Sequence, residues 1–151
     1  MAKIRRIVIH CTATREGKDY RKEDVIRWHT YAQPAGNGWK HAGYHFLIRL
    51  GGEIEEVIPL KSVTELDETE IANGAKGFND SSIHIAYIGG CEKNTCKPKD
   101  TRTPEQKQAL IDLLEKLIKE NPELEIVGHS DLDKTKPYCP GFDVKKEYYE
   151  Q

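Results

Sequence analysis

Apolar residues fall along this chain in short runs whose spacing alternates between a period of two and one near 3.6, the signature of strands interleaved with helices. Residues 4–10, IRRIVIH, are rich in β-branched side chains and predict a buried strand ending at His10. In KDYRKEDVIRWHTYAQ, residues 18–33, Val25, Ile26, Trp28 and His29 recur at helical spacing, and PAGNG stops that helix. Residues 42–60 read as a hairpin turning at Gly51-Gly52. The polar stretch 61–82 has several Gly and Asn and few strand signals, which predicts a long ordered loop. SIHIAYIGG, residues 82–90, is a second buried strand.

The clearest helix begins at Thr103, with Thr103 as N-cap, Pro104 at the first helical position and Gln106 completing a capping box. Leu110, Leu113, Leu114, Leu117 and Ile118 form its apolar stripe. LEIVGH, residues 124–129, is a last strand, and DVKKEYYEQ, residues 143–151, a terminal helix. The order β, α, β-hairpin, β, α, β predicts an α/β single domain: one central mixed β-sheet flanked by helices.

Composition narrows the function classes. A length of 151 residues suits one domain over residues 1–151. Hydrophobic residues at 37% and charged residues at 32% point to a soluble globular chain. A net charge of −2 lacks the basic excess of a nucleic-acid binder. No apolar run approaches the roughly 20 residues that span a bilayer, so neither a nucleic acid nor a membrane is an expected partner. MAKIRRIVIHC lacks the apolar core and cleavage site of a signal peptide and reads as a first strand. Cytoplasmic synthesis is therefore expected, with any extracellular action depending on another release route. Among Cys11, Cys91, Cys96 and Cys139 there is no CxxC pair. Cys91 and Cys96 flank CEKNTC and could form a local disulfide or stay reduced.

Chemistry concentrates at strand ends. His10 and His129 each close a predicted strand, on the edge where α/β sheets collect their sites. Cys139 lies in PYCPGFDV, a turn stiffened by Pro137, Pro140 and Gly141. Two imidazoles and a thiolate could supply three ligands to tetrahedral zinc and leave one position for water, the catalytic pattern. Spacing alone leaves open the alternative of two core histidines and a buried thiol.

Seven segments occur in the order found in one family: VIHCTATREG, IRWH, GYHFLIRLGGEIE, GAKGFNDSSIHIAYIGG, TPEQKQAL, VGHSDLD and CPGFDV. The chain resembles the zinc-dependent N-acetylmuramoyl-L-alanine amidases (the amidase-2 or peptidoglycan-recognition-protein family), and within them the T7 lysozyme-like phage branch. The resemblance covers nearly the whole chain. It implies that His10, His129 and Cys139 bind Zn2+ and that Tyr44 of GYHF acts beside the metal. It also implies an endolysin-like hydrolase of bacterial peptidoglycan, cutting the amide between N-acetylmuramic acid and L-alanine of the stem peptide. A monomer released through a membrane pore, or exported otherwise, fits that role.

The branch usually carries a catalytic lysine two residues before the ligand cysteine. Here that position is Pro137, so Lys136, or else Lys134, is expected to fill the role. Asn73, where some relatives have histidine, together with Lys76 and Asn79, supplies candidate substrate contacts. His45 is a further candidate contact, with packing or support of the site as its other reading, and packing is also the reading for Trp28 and His29. His41 is expected at the cleft rim, and His84, where the branch often has glycine, reads as structural. Cys11, adjacent to His10 on a strand, should point to the opposite sheet face and into the core. Two other classes use the same residues: a wall-binding module without catalysis, and a cysteine hydrolase with Cys139 or Cys11 as nucleophile.

Overall fold

A computed structural model describes residues 1–149 of the chain. In chain order the first elements are β1 (Ala2–Lys3), β2 (Arg6–Cys11), β3 (Thr14–Arg15) and α1 (Lys22–Thr30). The hairpin β4 (Phe46–Ile48) and β5 (Ile54–Glu56) follows, then β6 (Glu65–Leu66), β7 (Ser82–Tyr87) and β8 (Gly90–Cys91). The rest is α2 (Pro104–Glu120), β9 (Glu125–Gly128), α3 (His129–Leu132) and α4 (Val144–Tyr149). Among the described residues, five strands make a mixed sheet in the order β5-β4-β7-β2-β9, with β5 alone antiparallel to its neighbour.

Burial on both faces explains why β2 and β7 read as nearly continuous apolar runs. Ile7, Ile9, Ile83 and Ile85 point to one face and meet Leu110, Leu113, Leu114 and Leu117 of α2. Leu47 and Ala86 point to the other, where Val25 of α1 covers them. The expected α/β layers are therefore present, with the predicted stripe of α2 turned inward.

The α2 cap is the one expected. Thr103 Oγ1 accepts from the Gln106 amide at 3.0 Å, and Gln106 Oε1 accepts from the Thr103 amide at 2.9 Å. Gln106 does more than cap, since its Nε2 donates to the carbonyls of Ile48, the last residue of β4, and Ile88, the residue after β7. Its burial among strand ends is thereby satisfied.

Several local expectations change. The hairpin turns at Gly51-Gly52 as predicted, with Gly52 at φ +90°, but its strands are only three residues each. The first strand extends one residue past His10 to Cys11. Stretch 61–82 is ordered but not featureless: β6 pairs with β1, and 3-10 turns form at Glu68–Glu70 and Asn79–Ser81. The terminal helix is present from Val144, while the predicted Glu150 and Gln151 lie outside the described residues. Cys91 and Cys96 are disulfide-bonded, which closes the alternative left by the sequence.

His45 lies under the sheet edge, fully buried. Its Nε2 donates to the Glu70 carbonyl at 2.6 Å and its Nδ1 accepts from the His84 amide at 2.9 Å. The ring stacks on that of His84. Burial is the main influence on this imidazole and lowers its pKa from 6.5 to about 4, against a smaller opposing effect of Glu70.

Two measurements test this packing. Leu110→Ala removes a side chain that is 1% exposed and is expected to cost about 2–5 kcal/mol in chemical denaturation; a loss below about 1 kcal/mol would contradict the core described. Because the folded pKa of His45 lies below that of the unfolded chain, unfolded protein takes up the proton first as pH falls. The stabilisation is complete above pH 6.5 and is lost toward pH 4. His45 alone should remove about 2 kcal/mol between pH 7 and pH 5. Urea midpoints equal at those two pH values would refute its buried neutral state.

Candidate metal and active site

The pairing of β2 with β9 is parallel, with Ile9 opposite Gly128. The next residue along each chain segment is a histidine, His10 still on β2 and His129 the first of α3, so the two emerge side by side, their ring centroids 4.7 Å apart. Residues 129–139 then fold back on themselves. The Asp133 amide donates to the His129 carbonyl, Lys136 to Asp133, and Cys139 to Lys136, while the Ser130 amide donates to the Cys139 carbonyl at 2.9 Å. These bonds return the cysteine to the histidine from which the segment started. The Tyr87 hydroxyl, donating to the Pro140 carbonyl, fastens the turn to the sheet. Gly141, at φ +96°, passes so close to Lys99 that a Cβ would lie 3.0 Å from its carbonyl oxygen.

The ligand atoms of His10, His129 and Cys139 all lie within 4.8 Å of one another, and His10 Nδ1 is 3.9 Å from Cys139 Sγ. Zinc bonds of roughly 2.0–2.3 Å place tetrahedral ligands roughly 3.3–3.8 Å apart, so small side-chain movements close this set on an ion. The electrostatics fit as well. Burial, reinforced by His84 and His129, holds His10 well below 6.5, and burial likewise lowers His129, against the opposing carboxylate of Asp133. Both rings are then neutral at pH 7 and have a lone pair to offer. The neighbouring Cys11 thiol and burial push the Cys139 thiol up. A cation at the site is what turns such a thiol into a thiolate ligand. The same shift argues against Cys139 as a free nucleophile.

The cluster forms the floor of a cleft of about 610 Å³. Tyr44 stands beside it, its ring centroid 5.3 Å from that of His10. Burial and the two nearby thiols raise its phenol, which keeps the proton available for donation. Lys136 lines the cleft, whereas Lys134 lines a separate depression on the far side of the turn, with Ser130 and Phe142. Asn73 and Lys76 stand exposed on the opposite wall.

Two candidate contacts are placed differently from expectation. Asn79 uses its Oδ1 on the Gly74 and Ala75 amides and its Nδ2 on Asn73, so its amide shapes the loop that carries Asn73 and Lys76. His45 is enclosed by Glu70 and His84 and does not reach the cleft. His41 is likewise outside the cleft lining. Cys11 packs in the core cluster as expected, yet its backbone amide also points at Cys139 Sγ, 3.4 Å away.

Sequence reasoning missed part of the wall. Trp28 packs against Tyr20 as expected, but His29 faces the cleft, with Nδ1 accepting from the Gly43 amide at 2.8 Å. Its ring lies between those of Trp39 and Tyr44. Trp39 and Tyr138, both substantially exposed, and Asp133 also line the cleft. An indole in the turn-forming stretch GNGWKH was the available signal for Trp39, since such a loop gives it no core to enter.

Residues 1–142 match the family described as N-acetylmuramoyl-L-alanine amidase. The endolysin of Klebsiella phage KP32 is 30% identical over 140 residues, which cover 93% of this chain and 82% of that protein. Among solved structures, the Ph2119 endolysin from a Thermus scotoductus MAT2119 bacteriophage superposes with a TM-score of 0.71 at 26% identity, covering 99% of this chain and 85% of that one. The N-acetylmuramoyl-L-alanine amidase LysC from Clostridium intestinale URNW gives the same TM-score and identity, with 97% of this chain and 82% of that one covered. Strand-end histidines, the returning cysteine and a family match over nearly the full length agree: the chain belongs to the N-acetylmuramoyl-L-alanine amidase family.

Proposed function

We propose that His10, His129 and Cys139 hold one zinc ion and that Tyr44 and Lys136 complete the catalytic site above it. The reaction follows from family membership: the enzyme is an amidase that hydrolyses peptidoglycan at the amide joining the lactyl group of N-acetylmuramic acid to L-alanine. The convergence of two nitrogens and a sulfur within 4.8 Å on the cleft floor is the observation that carries the metal assignment. Bound there, zinc supplies Lewis acidity and a water whose pKa is lowered to roughly 7.

The chain's own groups do the rest. The Tyr44 hydroxyl, kept protonated, donates a hydrogen bond to the scissile carbonyl as negative charge develops on its oxygen. Lys136 approaches from the wall formed by the 129–139 turn and brings a positive charge to the same oxygen. Its register differs from the usual one, but the turn still points this residue, and not Lys134, into the cleft. Asn73 and Lys76 on the facing wall contact the glycan or the stem peptide, with Asn79 holding their loop in place. The chain works as a single catalytic domain, a monomer acting on the bacterial cell wall after release through a membrane pore or by another export route.

Wild-type protein should contain about one zinc per chain, and Cys139→Ala little. Chelation should abolish release of stem peptides from muramic acid and zinc should restore it, with lactyl carboxylates and free L-alanine amino termini seen by mass spectrometry of digested peptidoglycan. Wall hydrolysis that persists after thorough chelation would sink the metal assignment. Lys136→Ala is expected to lower kcat on the order of 10²-fold, and Lys134→Ala to leave it within about twofold. Similar losses for the two variants would mean that neither lysine alone stabilises the developing oxyanion.

A further inference from the structure

We propose that His84 is the positioning residue for His10: it holds the proton of that ring on Nε2 and so keeps Nδ1 bare and aimed at the metal position. The inference rests on the assignment of His10 as a zinc ligand and extends it to a residue that reads from sequence as structural.

The geometry comes from two buried rings. His10 Nε2 and His84 Nδ1 lie 2.8 Å apart, and both side chains are almost wholly excluded from solvent. Two bare nitrogens at that separation would repel through their lone pairs, and two protonated ones would collide, so one proton lies between them. If His10 carries it, Nδ1 is bare on the side where Cys139 Sγ lies 3.9 Å away. If His84 carries it, the single N–H of neutral His10 is on Nδ1, which cannot then bind a cation. Zinc binding therefore requires His10 to be the donor and His84 the acceptor.

His84 is built to stay in that position. Its backbone amide donates to His45 Nδ1, and His45 Nε2 donates to the Glu70 carbonyl, so a second histidine braces the strand from below. Gly74 lies against the ring, where a Cβ would come within 2.5 Å of His84 Nδ1 and 2.6 Å of the Gly43 carbonyl oxygen. Asn79, bonded to the Gly74 amide, keeps that bare stretch of backbone in place. His84 Nε2 is buried and makes no hydrogen bond among the described residues. No donor among the described residues claims its lone pair, so Nε2 can carry the ring's own proton and leave Nδ1 bare to accept from His10. Ligand histidines with such a partner typically lose 10–100-fold in metal affinity when the partner is removed.

The test compares wild type, His84→Phe and His84→Asn. Asn keeps an acceptor near the place of Nδ1, and Phe keeps only the shape. Zinc affinity is read by competition with a chromogenic chelator under reducing conditions, and the His10 tautomer by long-range 15N–1H correlation in the zinc-loaded protein. The expected results are a 10–100-fold weaker zinc affinity for His84→Phe, recovery to within about threefold of wild type for His84→Asn, and a wild-type His10 protonated on Nε2. Equal zinc affinity in wild type and a folded His84→Phe overturns this inference alone. If His84→Phe does not fold, a wild-type His10 protonated on Nδ1 with zinc bound, or a folded His84→Asn as weak as a His10→Ala control, overturns it. A wild type that binds no zinc overturns the metal assignment and this inference together.

Discussion

The site depends on one register. Parallel pairing of β2 with β9 sets Ile9 opposite Gly128, and the next step along both strands carries the two histidines to the same edge. A shift of a single residue on either strand would turn one imidazole into the opposite layer, because successive strand side chains alternate faces. The register is itself secured by burial. Ile7 and Ile9 face α2 on one side, so His10 has to face the other, where Tyr44 and His84 wait. The apolar pattern that folds the sheet is thus the same pattern that aims the ligands.

Polar groups buried around this edge are nearly all matched. Gln106 closes two strand ends, Glu70 accepts from the Lys61 and Asp67 amides, and His45 spans from Glu70 to His84. Such matching gives a buried polar network value as a scaffold, since an unmatched member would weaken the fold. It also explains why the floor of the cleft is made largely of imidazole and thiol while its rim carries lysines, asparagine and exposed aromatic rings. Groups that must stay neutral and fixed lie low, and groups that can move or carry charge lie at the edge.

Much of this was legible in the chain. The β-branched runs predicted β2 and β7, the Thr103 capping box predicted the start of α2 to the residue, and the apolar pattern alone placed the histidines at strand ends. What resisted reading has physical causes. β1 and β6 are two residues long, too short for any period to show. Asn79 and His45 are polar residues in or beside a loop, and sequence alone cannot say whether an amide or imidazole turns outward to a ligand or inward to a backbone. His29 carries the spacing of a packing residue, yet the helix ends beside the cleft and leaves its ring on the wall. Lys134 and Lys136 are indistinguishable by composition, and only the path of the turn separates them.

Arg102 bears on the site from a distance. Its guanidinium is buried, bonded to both Asp100 and Glu147, and lies 3.4 Å over the Phe142 ring. That one side chain ties the approach to α2 to the terminal helix, on the far side of the cysteine turn. The turn is anchored at its other end through Ser130 and Asp133. The sulfur is therefore suspended between two fixed supports, much as a bridge deck hangs between piers. The entropy of ordering it is lost once, when the protein folds, and need not be lost again each time a substrate arrives.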